Sequence, residues 1–502
     1  MSTNLRAILI LGFLLIVLFL GGLYLTARDI TVVRLGNLDQ IAANISNRYV
    51  DKLDPKKLTQ AGIKGMLGEL DPYSELLEAK AYSGLLEETS GEFEGLGIEV
   101  TVKDNFLTVI STLEGTPAHR AGLMPGDRII EIDGQRAVGL SSDEAVKKLR
   151  GEKGTKVKVT VSRPASPAPV QFNITRDVVE VKAVPYYGVM NGKIGYIRLK
   201  KFSENATQEV ASALAELTKQ KIEALILDLR GNPGGLLSQA VEVSGLFLDG
   251  KKLIMETRGQ DPYQNQKFYS DRKAILPDLP LAVLVDRGSA SASEIVAGAI
   301  QDWDRGVVIG DTTFGKGMVQ SVMELEEGLA LKLTTAKYFT PSGRCLQKAN
   351  GEEGKELASL SWHPEVKPES LPAVEYFTTQ KGRKVPGSGG IVPDIIQPGL
   401  EFSALQYQLS RDGLFFDFAI EYLSTHPDLE PNFEANEELL RQFLDFIKGQ
   451  EFHYQSASKV ELENLSTLVK EEFDSPGLQE RLASLAASVE QEEKNILHRH
   501  KE

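Results

Sequence analysis

The longest unbroken apolar run in the chain is Ala7 to Ala27, AILILGFLLIVLFLGGLYLTA, which carries no charge. At about 1.5 Å per helical residue it can span the ~30 Å hydrocarbon layer of a bilayer. It exceeds the ~7 to 15 apolar residues of a cleavable signal peptide, and no clear A-x-A site follows it. A retained transmembrane anchor over residues 1–28 is therefore expected. Arg6 precedes the run and Arg28 and Arg34 follow it, so positive charge leaves the orientation open. From Leu38 to Leu86 the apolar positions recur at helical spacing. They are interrupted at Leu70-Asp71-Pro72-Tyr73-Ser74, where proline after aspartate ends one helix and starts another. This predicts a small helical module over 35–90.

The periodicity changes at Gly91. Short β-rich runs, IEVTV, FLTVI, RIIEID and KVKVTV, alternate with Gly, Pro, Asn and Asp turn signals, and one helix starts near Ser141-Ser142-Asp143-Glu144. The stretch RPASPAPV, Arg163 to Val170, reads as a hinge or an exposed hairpin. Between Asp177 and Gln347 strands such as KIGYIRL, ALILDLR, PLAVLVD and GVVIG alternate with helical segments, the pattern of an α/β core. Beyond Pro398 the chain turns acidic and helical. Leu439, Leu440, Phe443, Leu444, Phe446 and Ile447 place apolar groups on one side of a helix, a stripe suited to a core or an oligomer contact.

Composition narrows the classes. A net charge of -14 and no evident basic patch argue against a nucleic-acid partner. The single cysteine, Cys345, excludes an intrachain disulfide and a cysteine-based metal cluster, and reads most simply as a small buried apolar residue.

Two constellations carry chemistry. In the first, Gly95-Leu96-Gly97-Ile98 opens a strand, followed by Gly115-Thr116-Pro117-Ala118, Ala121-Gly122-Leu123, Pro125-Gly126-Asp127-Arg128-Ile129-Ile130 and Asp133-Gly134. Glycine-flanked amides form a nest for a terminal carboxylate, and Ile98 begins a strand edge onto which a peptide can add. The whole ordered set, over Glu92 to about Val170, resembles a PDZ domain, which implies capture of protein C-termini.

In the second, the strand Pro280 to Asp286 runs into Arg287-Gly288-Ser289-Ala290-Ser291-Ala292-Ser293-Glu294 and then a helix. A strand-to-helix turn suits a nucleophile, because free amides at the helix start stabilise a developing oxyanion. Ser291 with Glu294 also reads as an ordinary capping box, so a base is needed to decide. The histidines, His119, His363, His426, His453, His498 and His500, all lie outside the α/β core pattern. Lysine is the remaining option if burial keeps it neutral. Lys316, in Thr313-Phe314-Gly315-Lys316-Gly317 after the strand GVVIG, fits.

GSASASE followed by TFGKGMVQ, with 25 positions from Ser291 to Lys316, resembles the serine-lysine peptidases of the carboxyl-terminal processing (tail-specific) family. The likeness runs from about Leu38 to Pro398 and includes LDPYS, Asp228 to Gly235 (DLRGNPGG), YFTPSG from Tyr338 and GGIVPD from Gly389. It implies Ser291 as nucleophile, Lys316 as general base and Gln320 as the group that orients the lysine. It further implies an oxyanion hole built from the Ala292 amide and one amide of the glycine-rich loop, Gly234 or Gly235. Pro233 has no amide hydrogen to offer. Peptide capture would fall to Gly95, Leu96, Gly97 and Ile98, and no metal or cofactor is implied.

The expected architecture is a multidomain α/β protein. A ClpP/crotonase-like protease core spans 171–400 with an insertion at 348–388, and a PDZ domain is inserted at 91–170. The helical module at 35–90 and a helical extension at 401–502 flank them. The resemblance implies a serine endopeptidase that cuts proteins with apolar C-termini, anchored by one span in a bacterial inner membrane with its catalytic domain in the periplasm. It also implies a homo-oligomer and an adaptor or activator protein. The rival readings are a membrane-tethered PDZ scaffold that binds peptides without cutting them, and a histidine-triad protease using His119.

Overall fold

The computed structural model describes residues 36–348 and 375–499, apart from 165, 388, 400, 401, 427, 431, 432, 451 and 474. The expected membrane anchor and most of the insertion lie outside the described residues, and among those described no helix is long and apolar enough to cross a membrane.

The α/β core is built on six strands in the spatial order Tyr186–Met190, Ile194–Arg198, Ala224–Asp228, Leu281–Val285, Val307–Gly310 and Ile395–Ile396. Only the first pair is antiparallel. Leu227, Val283, Val285 and Val308 are wholly buried, as parallel strands usually are, which is why these runs read as nearly continuous apolar sequence. Helices Ala206–Lys219, Leu237–Gly245 and Ala292–Asp302 bury their apolar sides in the same core.

A second sheet orders Glu75–Leu77, Ala330–Phe339, Leu253–Arg258 and Lys267–Tyr269, with Met318–Glu324 also paired to Ala330–Phe339. Its first strand is an addition to the helical module expected at 35–90. Helices do form at 36–48, Pro55–Leu67 and Ala79–Ser90. After the Pro72 turn, however, Glu75, Leu76 and Leu77 pair with Lys332, Leu331 and Ala330. A sheet edge supplies their backbone hydrogen bonds, and that outweighs helical spacing over so short a stretch.

The PDZ unit has its own core of Leu107, Val109, Ile129, Ile132, Val157, Val159 and Val161. The helix Ser142–Leu149 starts where expected, with Ser141 and Glu144 making a reciprocal capping box. Arg163 to Val170 is a hairpin connection and no hinge, since it joins the antiparallel neighbours Lys156–Ser162 and Val170–Thr175. The stem of the unit is the pair Glu92–Gly95 with Asp177–Glu180, so the chain leaves this unit a few residues beyond 170.

In the C-terminal region Phe443 and Ile447 pack with Leu405, Leu409 and Leu414, which assigns the apolar stripe of 439–447 to a local core. Helix Leu414–Thr425 leans on the PDZ unit. Lys103 pairs with Asp417 and reaches the Gly413 carbonyl, and a Cβ at Gly126 would come within 2.8 Å of Ile420.

Candidate active site

Three loops leave the carboxyl ends of adjacent parallel strands, the edge at which open α/β sheets bind ligands. Residues 229–235 follow Asp228, residues 286–291 follow Val285, and residues 311–317 follow Gly310. The register places Asp228 beside Leu284 and Val285 beside Gly310, so the topology alone brings the glycine-rich loop, Ser291 and Lys316 to one end of the sheet.

Of the three hydroxyls in SASAS, two are consumed by the fold. Ser289 Oγ donates to the Leu229 carbonyl (2.8 Å) and accepts from the Asp286 amide (3.0 Å), and Ser293 Oγ donates to the Asn232 carbonyl (2.9 Å). Both side chains are wholly buried, whereas Ser291 is half-buried. Its backbone sits at φ 53°, ψ -109°, a conformation that costs an L residue about 1–3 kcal/mol. Strain of this kind is characteristic of sharp strand-to-helix turns that present a nucleophilic serine.

Glu294 ties this turn to the lysine loop. Its carboxylate, fully buried, accepts from the Ser291 amide (2.8 Å), Thr313 Oγ1 (2.6 Å), the Gly315 amide (2.7 Å) and the Lys316 amide (3.0 Å). Burial raises its pKa to about 6, and the donors from Thr313, Gly315, Ser291 and Lys316 hold it from going higher. Tyr338 makes a second tie. Its buried hydroxyl donates to the Lys316 carbonyl and lies 3.3 Å from the Ser291 carbonyl.

Burial lowers the Lys316 pKa to about 8, with Lys332 adding repulsion and Glu294 and Asp71 opposing it. The ammonium stands 4.6 Å from the centre of the Tyr73 ring. It makes no hydrogen bond to Ser291 Oγ and rests on the ring instead. Nor does Gln320 reach the lysine. Its Nε2 donates to Thr334 Oγ1 (3.3 Å), which donates to Asp71 Oδ1 (3.0 Å). Asp71 also accepts from the Tyr73 amide and Ser74 Oγ. The LDPYS turn of the N-terminal module is thereby pinned beside the lysine.

The glycine-rich loop packs directly on the serine. A Cβ at Gly234, where φ is 105°, would lie 3.0 Å from both Ser291 Cβ and the Ala292 nitrogen, so only glycine permits this approach. The Gly234 amide is occupied by Asn232 Oδ1 (2.9 Å). Among the described residues the amides of Ala292 and Gly235 have no hydrogen-bond partner, so of the two glycines Gly235 is the one with a free donor. The loop is fixed from behind by Asp228, bonded to Arg198, Arg230 and Tyr196. Burial alone would raise this carboxyl, but these donors bring its pKa to about 2.

In the PDZ unit Ile98–Lys103 is an edge strand facing helix Ser142–Leu149. The Leu96 carbonyl accepts from Ala118 and the Gly97 carbonyl from Leu113, while the amides of Leu96 and Gly97 have no partner among the described residues. His119 belongs to this unit, its Nδ1 lying 3.4 Å from the Gly115 amide. Cys345 is half-buried and free.

From sequence alone Glu294 reads as a cap, and Tyr73, Asp71 and Tyr338 carry no assigned role. A signal for Glu294 was present, because a carboxylate leading into Ile295-Val296-Ala297-Gly298-Ala299-Ile300 must be buried and therefore satisfied.

Residues 193–353 match peptidase family S41, residues 85–162 the PDZ domain, and residues 405–502 the C-terminal helical domain of probable PDZ-proteases. A carboxy-terminal-processing protease of Bartonella bacilliformis is 39% identical over 349 residues, 66% of this chain and 80% of its own length. The carboxy-terminal processing protease CtpA of Bacillus subtilis is 38% identical over 317 residues, 63% of this chain and 67% of its own. Among solved structures, a photosystem II D1 C-terminal processing protease aligns over 59% of this chain and 81% of that one, at 32% identity and TM-score 0.37. Fold and relatives together define a serine-type peptidase carrying a PDZ domain. The chain belongs to peptidase family S41, the carboxy-terminal processing proteases.

Proposed function

We propose that Ser291 attacks the scissile carbonyl while neutral Lys316 takes its proton, and that the Ala292 and Gly235 amides hold the resulting oxyanion. An acyl-enzyme forms, the amine leaves with the proton returned by Lys316, and water activated by the same lysine releases the second product. The observation that carries this reading is the buried Glu294 carboxylate, which binds the nucleophile's own amide and the lysine's amide at once. Gln320 would orient Lys316 once the lysine leaves the Tyr73 ring. The free amides of Leu96 and Gly97 and the Ile98 edge would take the substrate's terminal carboxylate and apolar last residues.

The apolar run Ala7 to Ala27 supports a single membrane span, and the family resemblance favours a bacterial inner membrane with the catalytic domain on its periplasmic side. Exposed Leu465, Leu468, Leu478 and Leu485 on the last two helices support self-association, and the same surface could seat an activator protein. The test of the catalytic assignment is digestion of an unfolded protein with an apolar C-terminus by the full chain, beside Ser291→Ala and Lys316→Ala. Loss of cleavage in both variants is expected. Variants that cut as well as the parent would move the site elsewhere.

A further inference from the structure

A cleft of about 590 Å³ opens between the helix Ala79–Ser90, the stem of the PDZ unit and the core. Its lining includes neighbours of both sites described above. From the PDZ unit come Phe93 and Arg150, and a Cβ at Gly95, the first residue of the carboxylate loop, would touch the Phe93 ring at 3.3 Å and Arg150 Cγ at 3.8 Å. From the core come Gly231 and Pro233, next to the Gly234 that packs on Ser291. Because its lining borders both the Gly95 turn and the Gly231–Pro233 loop, it offers a route for the residues between a terminus held in the PDZ groove and a scissile bond at Ser291.

The charges lining the cleft are unbalanced. Arg150 spends its charge on Glu87, with contacts of 2.7 and 2.6 Å to the two oxygens, and Lys201 pairs with Glu88 at 3.0 Å. Lys182 and Lys200 are exposed and have no carboxylate partner among the described residues. Their backbones run close together, since the Lys200 amide donates to the carbonyl of Ala183, the residue after Lys182 (2.8 Å). In a chain of net charge -14 this leaves a local positive rim on the path between the two sites.

We infer that this cleft is a specificity site for acidic side chains in the stretch of substrate between the scissile bond and the PDZ-bound terminus, read by Lys182 and Lys200. The inference rests on the processing-protease reading and adds the substrate class to it. Exposed charge pairs are individually weak, so discrimination is about 1.5- to fivefold per acidic residue. It fades as salt rises and the Debye length falls from ~8 Å at 0.15 M to ~3 Å at 1 M.

The experiment uses the full chain and three unfolded substrates with the same terminus and cleavage region, differing only in whether the intervening stretch carries Glu, Gln or Lys. Both kcat/KM and the affinity of Ser291→Ala for the three labelled tails are measured, and both are repeated in Lys182→Glu/Lys200→Glu. The order Glu, Gln, Lys is expected, inverted in the charge-reversed variant and flattened in 1 M salt. Equal affinity and equal cleavage of the three tails would overturn the inference while leaving the protease intact. Cleavage of all three that persists in Ser291→Ala would instead sink the catalytic assignment, and the affinity series would still judge the cleft.

Discussion

The two halves of the candidate catalytic site are built differently. The serine half is buried rock: all eleven residues of helix Ala292–Asp302 are buried, Ser289 and Ser293 are locked by carbonyls, and Glu294 has four donors. The lysine half is fixed at its backbone by the same Glu294 and by Tyr338. Its side chain, however, rests on a tyrosine contributed by the N-terminal module, in which helix Pro55–Leu67 buries no residue. Backbone strain is thus held where the fold is strong, and the lysine side chain is seated where the fold is weak. A strained nucleophile persists only when its surroundings over-determine it, whereas a base that must change partners gains from a looser seat.

The largest expected effect comes from breaking the tie between the halves. Glu294→Ala strands the Ser291, Gly315 and Lys316 amides and the Thr313 hydroxyl in a dry interior, so about 3–5 kcal/mol of stability and all measurable cleavage should be lost. Urea unfolding and a peptide assay would read both. A variant of parental stability that still cuts would show that the two halves are held together elsewhere.

Next in size is the pH response, which separates the halves because their buried groups titrate in different ranges. If Lys316 is the base it can act only when neutral, so kcat/KM should climb tenfold per pH unit up to about 8 and level off above it. Below about pH 6 protonation of Glu294 turns one of its acceptor oxygens into a donor, and the slope should steepen. The Glu294 contribution to stability runs the other way. The Glu294 pKa is raised from its ordinary value of 4.5, so its neutral form favours folding. That contribution is full below about 4.5 and is lost as pH rises through about 6, roughly 2 kcal/mol in all. A pH-rate profile with one inflection far below 8 would contradict the buried-lysine picture.

Removing the Tyr338 hydroxyl is a milder break. Tyr338→Phe keeps the ring in the core but deprives the Lys316 and Ser291 carbonyls of their shared donor. About 1–2 kcal/mol of stability and about tenfold in kcat, with KM nearly unchanged, should go. An equal rise in KM would mean the hydroxyl serves substrate binding instead.

The same contrast explains what could be read from sequence. Strands such as Leu281–Val285 and the SASASE turn announce themselves, because burial on both faces and a strand-to-helix junction leave local signatures in residue type. The partnerships of Tyr338 with Lys316, and of Asp71 with Thr334, were hidden because they join positions 22 and 263 residues apart, and no local pattern encodes a contact made by folding. Glu75–Leu77 was missed for a related reason. Its helical spacing is genuine, but the open edge of a distant strand decides its conformation. The hairpin at Arg163 to Val170 was half legible. Proline and alanine marked a turn, while the pairing of the flanking strands, Val161 with Val170, depended on register.

The smallest effect should come from the contact that docks the weak half on the strong one. Thr334 Oγ1 accepts from Gln320 Nε2 and donates to Asp71 Oδ1, in a half-buried site where Asp71 keeps the Tyr73 amide and Ser74 hydroxyl as donors. Thr334→Val should therefore cost only about 1 kcal/mol and change kcat less than about threefold. It also releases Gln320 from its sole side-chain partner on this strand. If Gln320 orients Lys316 in the working state, Gln320→Ala should lower kcat about tenfold and shift the pH-rate profile, while Thr334→Val leaves that profile in place. Should Thr334→Val prove the more damaging of the two, the glutamine matters as a strut for the LDPYS turn, and the lysine is aimed by Tyr73 and its neighbours alone.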